Sequence, residues 1–160
     1  MTNTIAKSAQ SVQTALDKHN LECKVIEFPA STRTAQEAAD AIGCTVAQIV
    51  KSLIFKTKET NLPVLVLASG PNRVNEKIIE SHVGQPITKA DADFAREVTG
   101  FAIGGIPPIG HKQHIDFIFI DQDLLQHETV WAAAGTPNAV FSIESKMLPT
   151  ITQGKVISVI

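Results

Sequence analysis

A lysine set in an apolar run is the first residue of this sequence whose type and position could do chemistry. Lys51 lies in residues 49–56, whose β-branched and aromatic side chains predict a strand. On that strand Lys51 shares a face with Ile49, Leu53 and Phe55, and the opposite face is not a solvent face either. An isolated buried ammonium is costly, so this lysine must reach water along its stem, pair with an acid or point into a polar pocket. Two interpretations stay open: a packed stem with a solvated head, or a cation held at a site.

A loop of glycines and prolines is the second such feature, and it covers residues 104–110. The paired glycines, Gly104 and Gly105, allow the backbone to come close to a ligand, and the two prolines that follow fix the path of the chain. A connection between two strands usually needs only a short turn. We therefore predict that this stiff loop forms the wall of a binding site.

Three side chains that follow the loop have the types of metal ligands. His111, His114 and Asp116 stand close together, but no second ligand pair has a matching spacing. The chain also lacks the glycine-rich motif that binds nucleoside triphosphates and the motif that presents a nucleophilic serine. We therefore predict neither a metal site nor a cofactor.

A cysteine and a pair of acids could also be reactive, although a structural role is favoured for each. Cys44 follows the helix stop Gly43 and could begin the next helix, where the pKa of a thiol can fall, but a small packing residue is the preferred interpretation. Asp121 and Asp123 alternate like a carboxylate pair. The residues around them predict a solvated turn instead.

Composition limits the classes of protein that remain. The chain has 160 residues, of which 44% are hydrophobic and 19% charged, and its formal net charge is -2. This length suits one sizeable core, so residues 1–160 are predicted to form a single domain. The charge argues against DNA as a partner and leaves only a small, local contact with any RNA.

The N-terminus and the cysteines indicate the compartment. No basic segment followed by an apolar one opens the chain, and no run approaches the length of a membrane-spanning helix. Cys23 and Cys44 are too few to make a disulfide framework. We expect a cytoplasmic protein that does not bind membranes.

Hydrophobic periodicity and capping signals predict the elements that must position these residues. Helices are expected at residues 5–16, 35–42, 75–82 and 90–98, with a helical turn at 145–148. Strands are expected at residues 24–28, 49–56, 63–68, 101–103, 116–120, 130–134, 139–143 and 155–160. Helices that precede a late cluster of strands indicate an α+β, or mixed α/β, fold.

Three motifs occur in the order seen in one family. They are Ala-Gln-Ile-Val-Lys-Ser-Leu at residues 47–53, Gly-Gly-Ile-Pro-Pro-Ile-Gly at 104–110 and Trp-Ala-Ala-Ala-Gly-Thr-Pro at 131–137. Over nearly its whole length the chain resembles the YbaK/ProX-type aminoacyl-tRNA deacylases, which are similar to the editing insertion of bacterial prolyl-tRNA synthetase. The resemblance implies a strongly twisted or barrel-like mixed sheet flanked by helices. It also implies trans-editing, the hydrolysis of the ester between a wrongly attached amino acid and its tRNA.

The resemblance implies roles for the lysine and the loop. Lys51 matches the strand lysine of the family, whose ammonium would contact the ester carbonyl or the 3′-terminal nucleotide. The Gly-x-x-x-Pro element falls on Gly104 to Pro108, and amides of Gly104 and Gly105 would orient the ester and its oxyanion. An aminoacyl ester is already activated, so such a site mainly positions water and stabilises negative charge. The neighbouring ribose hydroxyl is thought to assist in this family, which suits a sequence without a catalytic triad.

Selectivity is implied to depend on a small amino-acid pocket that hydrolyses what the synthetase failed to exclude. The expected substrate-binding residues are Thr32, Ile49, Ile106, Pro107, Pro108, Gly135, Thr136 and Pro137. Pro137 and Asn138 depart from the basic, glycine-containing sequence of cysteine-selective members. Alanine or another small residue, on tRNA(Pro) or a related tRNA, is therefore expected at least as much as cysteine.

Two alternatives keep the fold without this reaction. One is a non-catalytic module that binds an aminoacyl or nucleotide end and regulates a synthetase, and the other is a pocket for a free small metabolite. Lys51 together with the loop favours the enzyme, because a pure binder has less need of a donor aimed at the ester. The expected partners are the 3′ end of aminoacyl-tRNA and a synthetase that delivers it. The expected assembly is a monomer or a weak homodimer.

Overall fold

The computed structural model describes residues 7–21, 23–29 and 34–160. The helices are α1 (Lys7–Lys18), α2 (Ala35–Ile42), α3 (Glu76–Val83), α4 (Ala92–Thr99) and α5 (Leu148–Thr152), and short 3-10 helices cover Val46–Gln48, Gln122–Gln126 and Ser145–Met147. The strands are β1 (Ile26–Glu27), β2 (Ile49–Thr57), β3 (Pro63–Ser69), β4 (Ile87–Lys89), β5 (Phe117–Asp121), β6 (Thr129–Ala133), β7 (Ala139–Glu144) and β8 (Lys155–Ile157). Within these ranges, no helix has both the length and the apolar character needed to cross a bilayer.

All eight strands of the described residues belong to one mixed sheet. Its order is β1-β7-β6-β2-β3-β5-β8, and β4 also pairs with β2. β2 is antiparallel to β3 and parallel to β6, while β5 is parallel to both β3 and β8. Helix α2 packs on β2, and α5 packs on β5. The expected mixed α/β fold, a mixed sheet flanked by helices, is confirmed.

The central strand β2 changes its neighbour along its length. Residues 49–50 pair with β6, whereas residues 55–57 pair with β4 on the same edge. Residues 51–53 lie between these two pairings and have no strand partner on that edge among the described residues. Their other edge is fully paired with β3. The sheet therefore has a gap beside the middle of β2.

Main-chain groups of Ser52 point into this gap. In a β-strand the N–H and C=O of alternate residues face the same edge. The carbonyl of Ile54 faces the edge shared with β4, where it accepts a hydrogen bond from the N–H of Ala90 at 3.1 Å. The N–H and C=O of Ser52, two residues earlier, therefore face the same edge, where no strand of the described residues pairs with them.

The start of α2 is fixed by a capping box, as its sequence predicts. The Thr34 hydroxyl accepts from the N–H of Glu37 at 3.0 Å, and the Glu37 carboxylate accepts from the N–H of Thr34 at 3.2 Å. Gly43 ends the helix in the left-handed conformation, with φ of 86°. The helix packs against the beginnings of β2 and β6 through Ala38, Ala39, Ile49 and Trp131.

The core lies on both faces of the sheet. Residues 64–67 of β3 are fully buried, and they alternate between two clusters: Leu65 and Leu67 on one face, and Val64 and Val66 on the other. The alternation predicted for β2 is also found, because its even-numbered residues 50 and 54 join the first cluster and Phe55 joins the second. Because β3 is buried on both faces, its pairing with β2 holds β2 in a fixed register.

Several element bounds differ from the sequence prediction. The strand predicted at residues 101–103 is wrong, because these residues lead into a turn in which the Ala102 carbonyl accepts from the N–H of Gly105 at 3.0 Å. The apolar Phe101 had suggested a strand, but its side chain packs in the core, at 5% exposure, without being part of one. The short strand β4 was not predicted, and the strands predicted at residues 24–28 and 155–160 shorten to β1 and β8. Of the predicted N-terminal helix, Ile5 lies outside the described residues.

Candidate functional site

A cleft of about 420 Å³ lies where the edge of β2 is unpaired, and we call it the central cleft. Its walls come from α2, β2, the turn after β3, the loop after α4, and strands β6 and β7. Most of the lining side chains are aliphatic, so the cleft can accept a small apolar group beside a few polar ones. The described residues that line it are Thr34, Ala35, Ala38, Ile49, Val50, Lys51, Ser52, Leu53, Gly70, Ile103, Gly104, Ile106, Trp131, Ala132, Ala133 and Val140.

Lys51 is half-buried in this cleft, and its ammonium is held by the main chain. Its Nζ donates a hydrogen bond to the carbonyl oxygen of Asn72 at 2.7 Å. An ammonium has three donors, and Asn72 is its one hydrogen-bond acceptor among the described residues, so two donors are available to a ligand. Burial lowers the pKa of Lys51 below the ordinary 10.5, and the negative charge of Asp121 partly opposes this shift.

Two carboxylates fix the residue that holds Lys51. The side-chain amide of Asn72 donates to Asp121 and to Asp123, each at 2.7 Å, so both of its N–H groups are used. Asp121 also accepts from the N–H of Ser69 at 3.0 Å and from the N–H of Asp123 at 2.9 Å. The predicted solvated turn is wrong for Asp121, which is 1% exposed and stays buried because these donors satisfy its oxygens.

The glycine-proline loop presents a different set of amides from the one expected. The N–H of Gly105 donates to Ala102 and is not available to a ligand. The N–H groups of Gly104 and Ile106 have no hydrogen-bond partner within the described ranges. Gly104 adopts φ of 97°, a backbone conformation that favours glycine. Gly104 and Ile106 line the central cleft, whereas Gly105 does not.

Gly105 instead joins two loops behind the cleft. Its carbonyl accepts from the N–H of Gly135 at 2.8 Å. A Cβ added at Gly105 would lie 2.9 Å from both the N and the Cα of Thr136, so no side chain fits between the loops. His111 anchors the far side of the loop, because its Nε2 donates to the carbonyl of Pro107 at 2.7 Å. The second and third sequence motifs thus pack into one unit.

Ser52 is a polar residue of the cleft that the sequence did not single out. Its side-chain oxygen is buried and has no hydrogen-bond partner within the described part of the chain. Its main-chain N–H and C=O face the gap in the sheet. Buried polar groups usually have partners, and none of the described residues supplies one here, so a ligand in the cleft could do so.

The cleft brings together four of the residues predicted to act, namely Ile49, Lys51, Gly104 and Ile106. Thr32 lies outside the described residues. The other predicted residues are not among the described residues that line the cleft: Gly105, Pro107, Pro108, Gly135, Thr136 and Pro137. Pro107 and Pro108 are buried behind it.

The contribution of β6 to the cleft was also missed from the sequence. Trp131, Ala132 and Ala133 line the cleft and belong to the third motif, which was interpreted only as a strand followed by a loop. The run of small residues was the available signal, because alanines leave room beside a strand. The first half of the motif therefore lines the cleft, and its second half packs behind the cleft.

The other reactive side chains considered from the sequence do not form a second site within the described residues. His114 Nε2 lies 2.8 Å from a carboxylate oxygen of Asp116, and both side chains are exposed. Among the described residues, no three His, Cys, Asp or Glu side chains come together as a metal site would require. Burial raises the pKa of the Cys44 thiol, which disfavours the reactive thiolate.

As far as the described residues go, the central cleft therefore combines one held cation, amides without a partner and aliphatic walls. Ammonium and amide donors stabilise negative charge that develops on an oxygen atom. These groups surround a space suited to a small side chain, so the described residues can bind a carbonyl compound and polarise it. Lys51 and Gly104 both line this cleft, so each can bring a donor to it.

Comparison with known proteins gives a consistent family. A family model described as the aminoacyl-tRNA editing domain matches residues 29–151. YwhH of Bacillus subtilis (strain 168), an uncharacterized protein, is 31% identical over 149 residues, which are 93% of this chain and 94% of YwhH. The likeness to YwhH thus extends over nearly the full length of both chains.

A synthetase and a solved structure are also similar. The proline-tRNA ligase of Thermodesulfovibrio yellowstonii is 33% identical over 104 residues, which are 65% of this chain but only 18% of the ligase. A crystal structure of a candidate trans-editing enzyme for prolyl tRNA synthetase superposes with a TM-score of 0.90 and is 44% identical. That match covers 97% of this chain and 98% of the other.

Proposed function

The chain belongs to the aminoacyl-tRNA editing domain family, and we propose that it is a deacylase that acts in trans on mischarged tRNA. The bond cleaved is the ester between the carbonyl carbon of the amino acid and the terminal ribose. Water adds to that carbon, the bond to the ribose oxygen breaks, and the ribose oxygen takes a proton. The products are a free amino acid and an uncharged tRNA.

The observation that carries this proposal is the setting of Lys51. Its ammonium is fixed by the Asn72 carbonyl and lies in the same cleft as Gly104. Among the residues that the structure describes, two donors of this ammonium and the Gly104 amide have no partner. A carbonyl oxygen placed between them gains donors where negative charge develops during attack by water. The ester is already activated, so positioning and charge stabilisation supply the catalysis that it needs.

The walls of the cleft support a small amino acid as the group removed. Four alanines, at positions 35, 38, 132 and 133, line the cleft, and the buried Ile49 and Ile106 narrow it. A pocket of this kind admits a small side chain and excludes a larger one by size. Together with the likeness to proline-tRNA ligases, this supports tRNA(Pro) or a related tRNA that carries alanine or another small residue.

The net charge of -2 supports a partner for delivery of the RNA. A chain of this charge binds the phosphate backbone weakly, so we propose that a synthetase supplies further tRNA contacts. The protein would act in the cytoplasm as a monomer or weak homodimer. Binding to bare tRNA should be weak and should weaken further with salt.

A panel of charged tRNAs tests the proposal. tRNA(Pro) charged separately with alanine, serine, cysteine and proline is incubated with the protein, and ester loss is compared with loss in buffer alone. We expect fast loss for a small residue such as alanine and little loss for proline. If no aminoacyl group is removed but charged tRNA still binds, the non-catalytic module is the better account.

A further inference from the structure

The backbone around Ile106, which narrows the central cleft, is held on both sides by hydrogen bonds. Before Ile106, the carbonyl of Gly105 accepts from the N–H of Gly135 at 2.8 Å. After it, the carbonyl of Pro107 accepts from Nε2 of His111 at 2.7 Å. Both acceptors belong to residues bonded directly to Ile106, so the two contacts together fix the backbone that carries its side chain.

The second contact depends on a side-chain donor because of the two prolines. Pro107 and Pro108 have no N–H, so neither can donate a hydrogen bond within the loop. Pro107 is buried, and His111 is the partner that the described residues give to its carbonyl. Loss of this donor would leave the carbonyl of a buried residue unpaired, which is costly. A shift of the loop that brings this carbonyl to water would relieve that cost.

His111 is a neutral donor placed behind the loop. It does not line the central cleft, so it can act there only through the loop. Burial lowers the pKa of His111 below the ordinary 6.5, although the hydrogen bond to Pro107 partly opposes this shift. The neutral ring carries a single N–H, and this hydrogen is on Nε2 because a carbonyl can only accept. The ring lines a cavity of about 430 Å³ with His19 and His114, and no carboxylate is among the described residues around it.

We propose that His111 is a positioning residue for the choice of amino acid: its hydrogen bond to Pro107 holds Ile106 where it narrows the central cleft. This inference rests on the proposed function, because only a deacylase selects among aminoacyl groups. Without the bond the loop moves, the cleft widens, and a larger amino acid is removed as well. Removal of alanine changes little, because Lys51 is held by Asn72 and not by this loop.

The selectivity of hydrolysis measures this role. The substrates are tRNA(Pro) charged with valine and tRNA(Pro) charged with alanine, and the quantity is the ratio of their kcat/KM values. His111→Phe keeps an aromatic ring but has no donor, and it should raise the ratio of valine to alanine about fivefold, the effect of losing one hydrogen bond. The fraction of folded protein cancels in this ratio, so a loss of stability alone does not change it. An unchanged ratio would overturn the proposal.

A rescue variant and a matched control separate the hydrogen bond from packing. The side-chain amide of His111→Gln can place an N–H near the position of Nε2, so this variant should restore the ratio of the unaltered protein. His114→Phe is the control, since His114 lines the same cavity but contacts Asp116 and not Pro107. It should leave the ratio unchanged. An equal rise in His114→Phe, or no recovery in His111→Gln, would assign the effect to packing and overturn the role of the bond.

Two spectroscopic measurements test the contact without any substrate. Long-range 1H–15N spectra should show the His111 ring neutral at neutral pH with its proton on Nε2, and a proton on Nδ1 would overturn the proposal. The order parameter of the Ile106 δ1 methyl should fall in His111→Phe and recover in His111→Gln. If the methyl responds in this way but no charged tRNA is hydrolysed, the proposed function fails and the loop contact stands. If alanine is removed normally and neither the methyl nor the ratio responds, the proposed function stands and this inference fails.

Discussion

The ammonium of Lys51 and the main-chain carbonyl of Asn72 are joined by a hydrogen bond of 2.7 Å, and this contact fixes the one cation that lines the central cleft among the described residues. Asn72 is itself held by two carboxylates that its side-chain amide bridges. A lysine side chain is long and flexible. Because the Asn72 carbonyl already holds the Lys51 ammonium, this side chain loses less conformational entropy when substrate binds. The position of the charge thus depends on Asn72, Asp121 and Asp123, which are not among the described residues that line the cleft.

The buried carboxylate of this network should control the pH dependence of hydrolysis. The rate should fall as pH rises through the pKa of Lys51, because the role proposed for Lys51 needs its charged form. The Asp121 charge raises that pKa, so Asp121→Asn should lower it and move the descending limb to lower pH. The measurement is single-turnover ester loss against pH, corrected for spontaneous hydrolysis.

Asp123→Asn is the matched control for this shift. This variant removes the Asp123 carboxylate, which also accepts a hydrogen bond from Asn72. The pKa of Lys51, however, is raised by the charge of Asp121. The descending limb of Asp123→Asn should stay close to that of the unaltered protein. Equal shifts in both variants, or none in Asp121→Asn with folding verified by circular dichroism, would contradict the role of Asp121.

Gly105 should be needed for packing and not for donating to substrate. In Gly105→Ala the new Cβ would meet main-chain atoms of Thr136 at 2.9 Å, which cannot move cheaply. We expect the free energy of unfolding in urea to fall by about 3 kcal/mol. Gly43→Ala, where a Cβ meets nothing within 4 Å, should cost only about 1 kcal/mol of backbone strain. A Gly105→Ala protein as stable as Gly43→Ala would exclude this packing role.

Ile106 should set the size of the amino acid that is removed. It is 4% exposed and lines the central cleft, so Ile106→Val adds space for about one methylene. The ratio of kcat/KM for a larger aminoacyl ester to that for alanine should rise about tenfold. Ile109→Val, at 6% exposure in the same loop but outside the central cleft, should lose similar stability without changing the ratio. If Ile106→Val and Ile109→Val give the same ratio of kcat/KM values, Ile106 does not set the size of the amino acid that is removed.

The sequence predicts the parts of the site that depend on local pattern. Strand periodicity identifies Lys51 as a lysine between apolar faces, and the glycines and prolines identify the loop around Gly104. Both predictions need only neighbours in the chain. The pairing of β2 could not be predicted, because the gap at residues 51–53 depends on two different strands that join the same edge.

Asn72 and Asp121 illustrate the same limit for individual contacts. Asn72 stands in a turn 21 residues after Lys51, and Asp121 lies another 49 residues on. Their side chains look like ordinary polar turn residues until the parallel pairing of β3 with β5 brings them together. Gly105 shows that local contacts can also be missed. The motif suggested that its N–H would be free for a ligand, but the N–H donates to the carbonyl of Ala102 within a local turn.

A single-turnover assay with alanine-charged tRNA(Pro) and the variant Lys51→Ala shows whether hydrolysis needs the Lys51 ammonium. Lys56→Ala is the control, since Lys56 stands on the same strand, lies over the Phe94 ring at 5.4 Å and does not line the central cleft. We expect Lys51→Ala to slow ester loss about 100-fold or more while the protein stays folded, and Lys56→Ala to hydrolyse at nearly the normal rate. Normal hydrolysis by a folded Lys51→Ala protein would contradict the role proposed for Lys51.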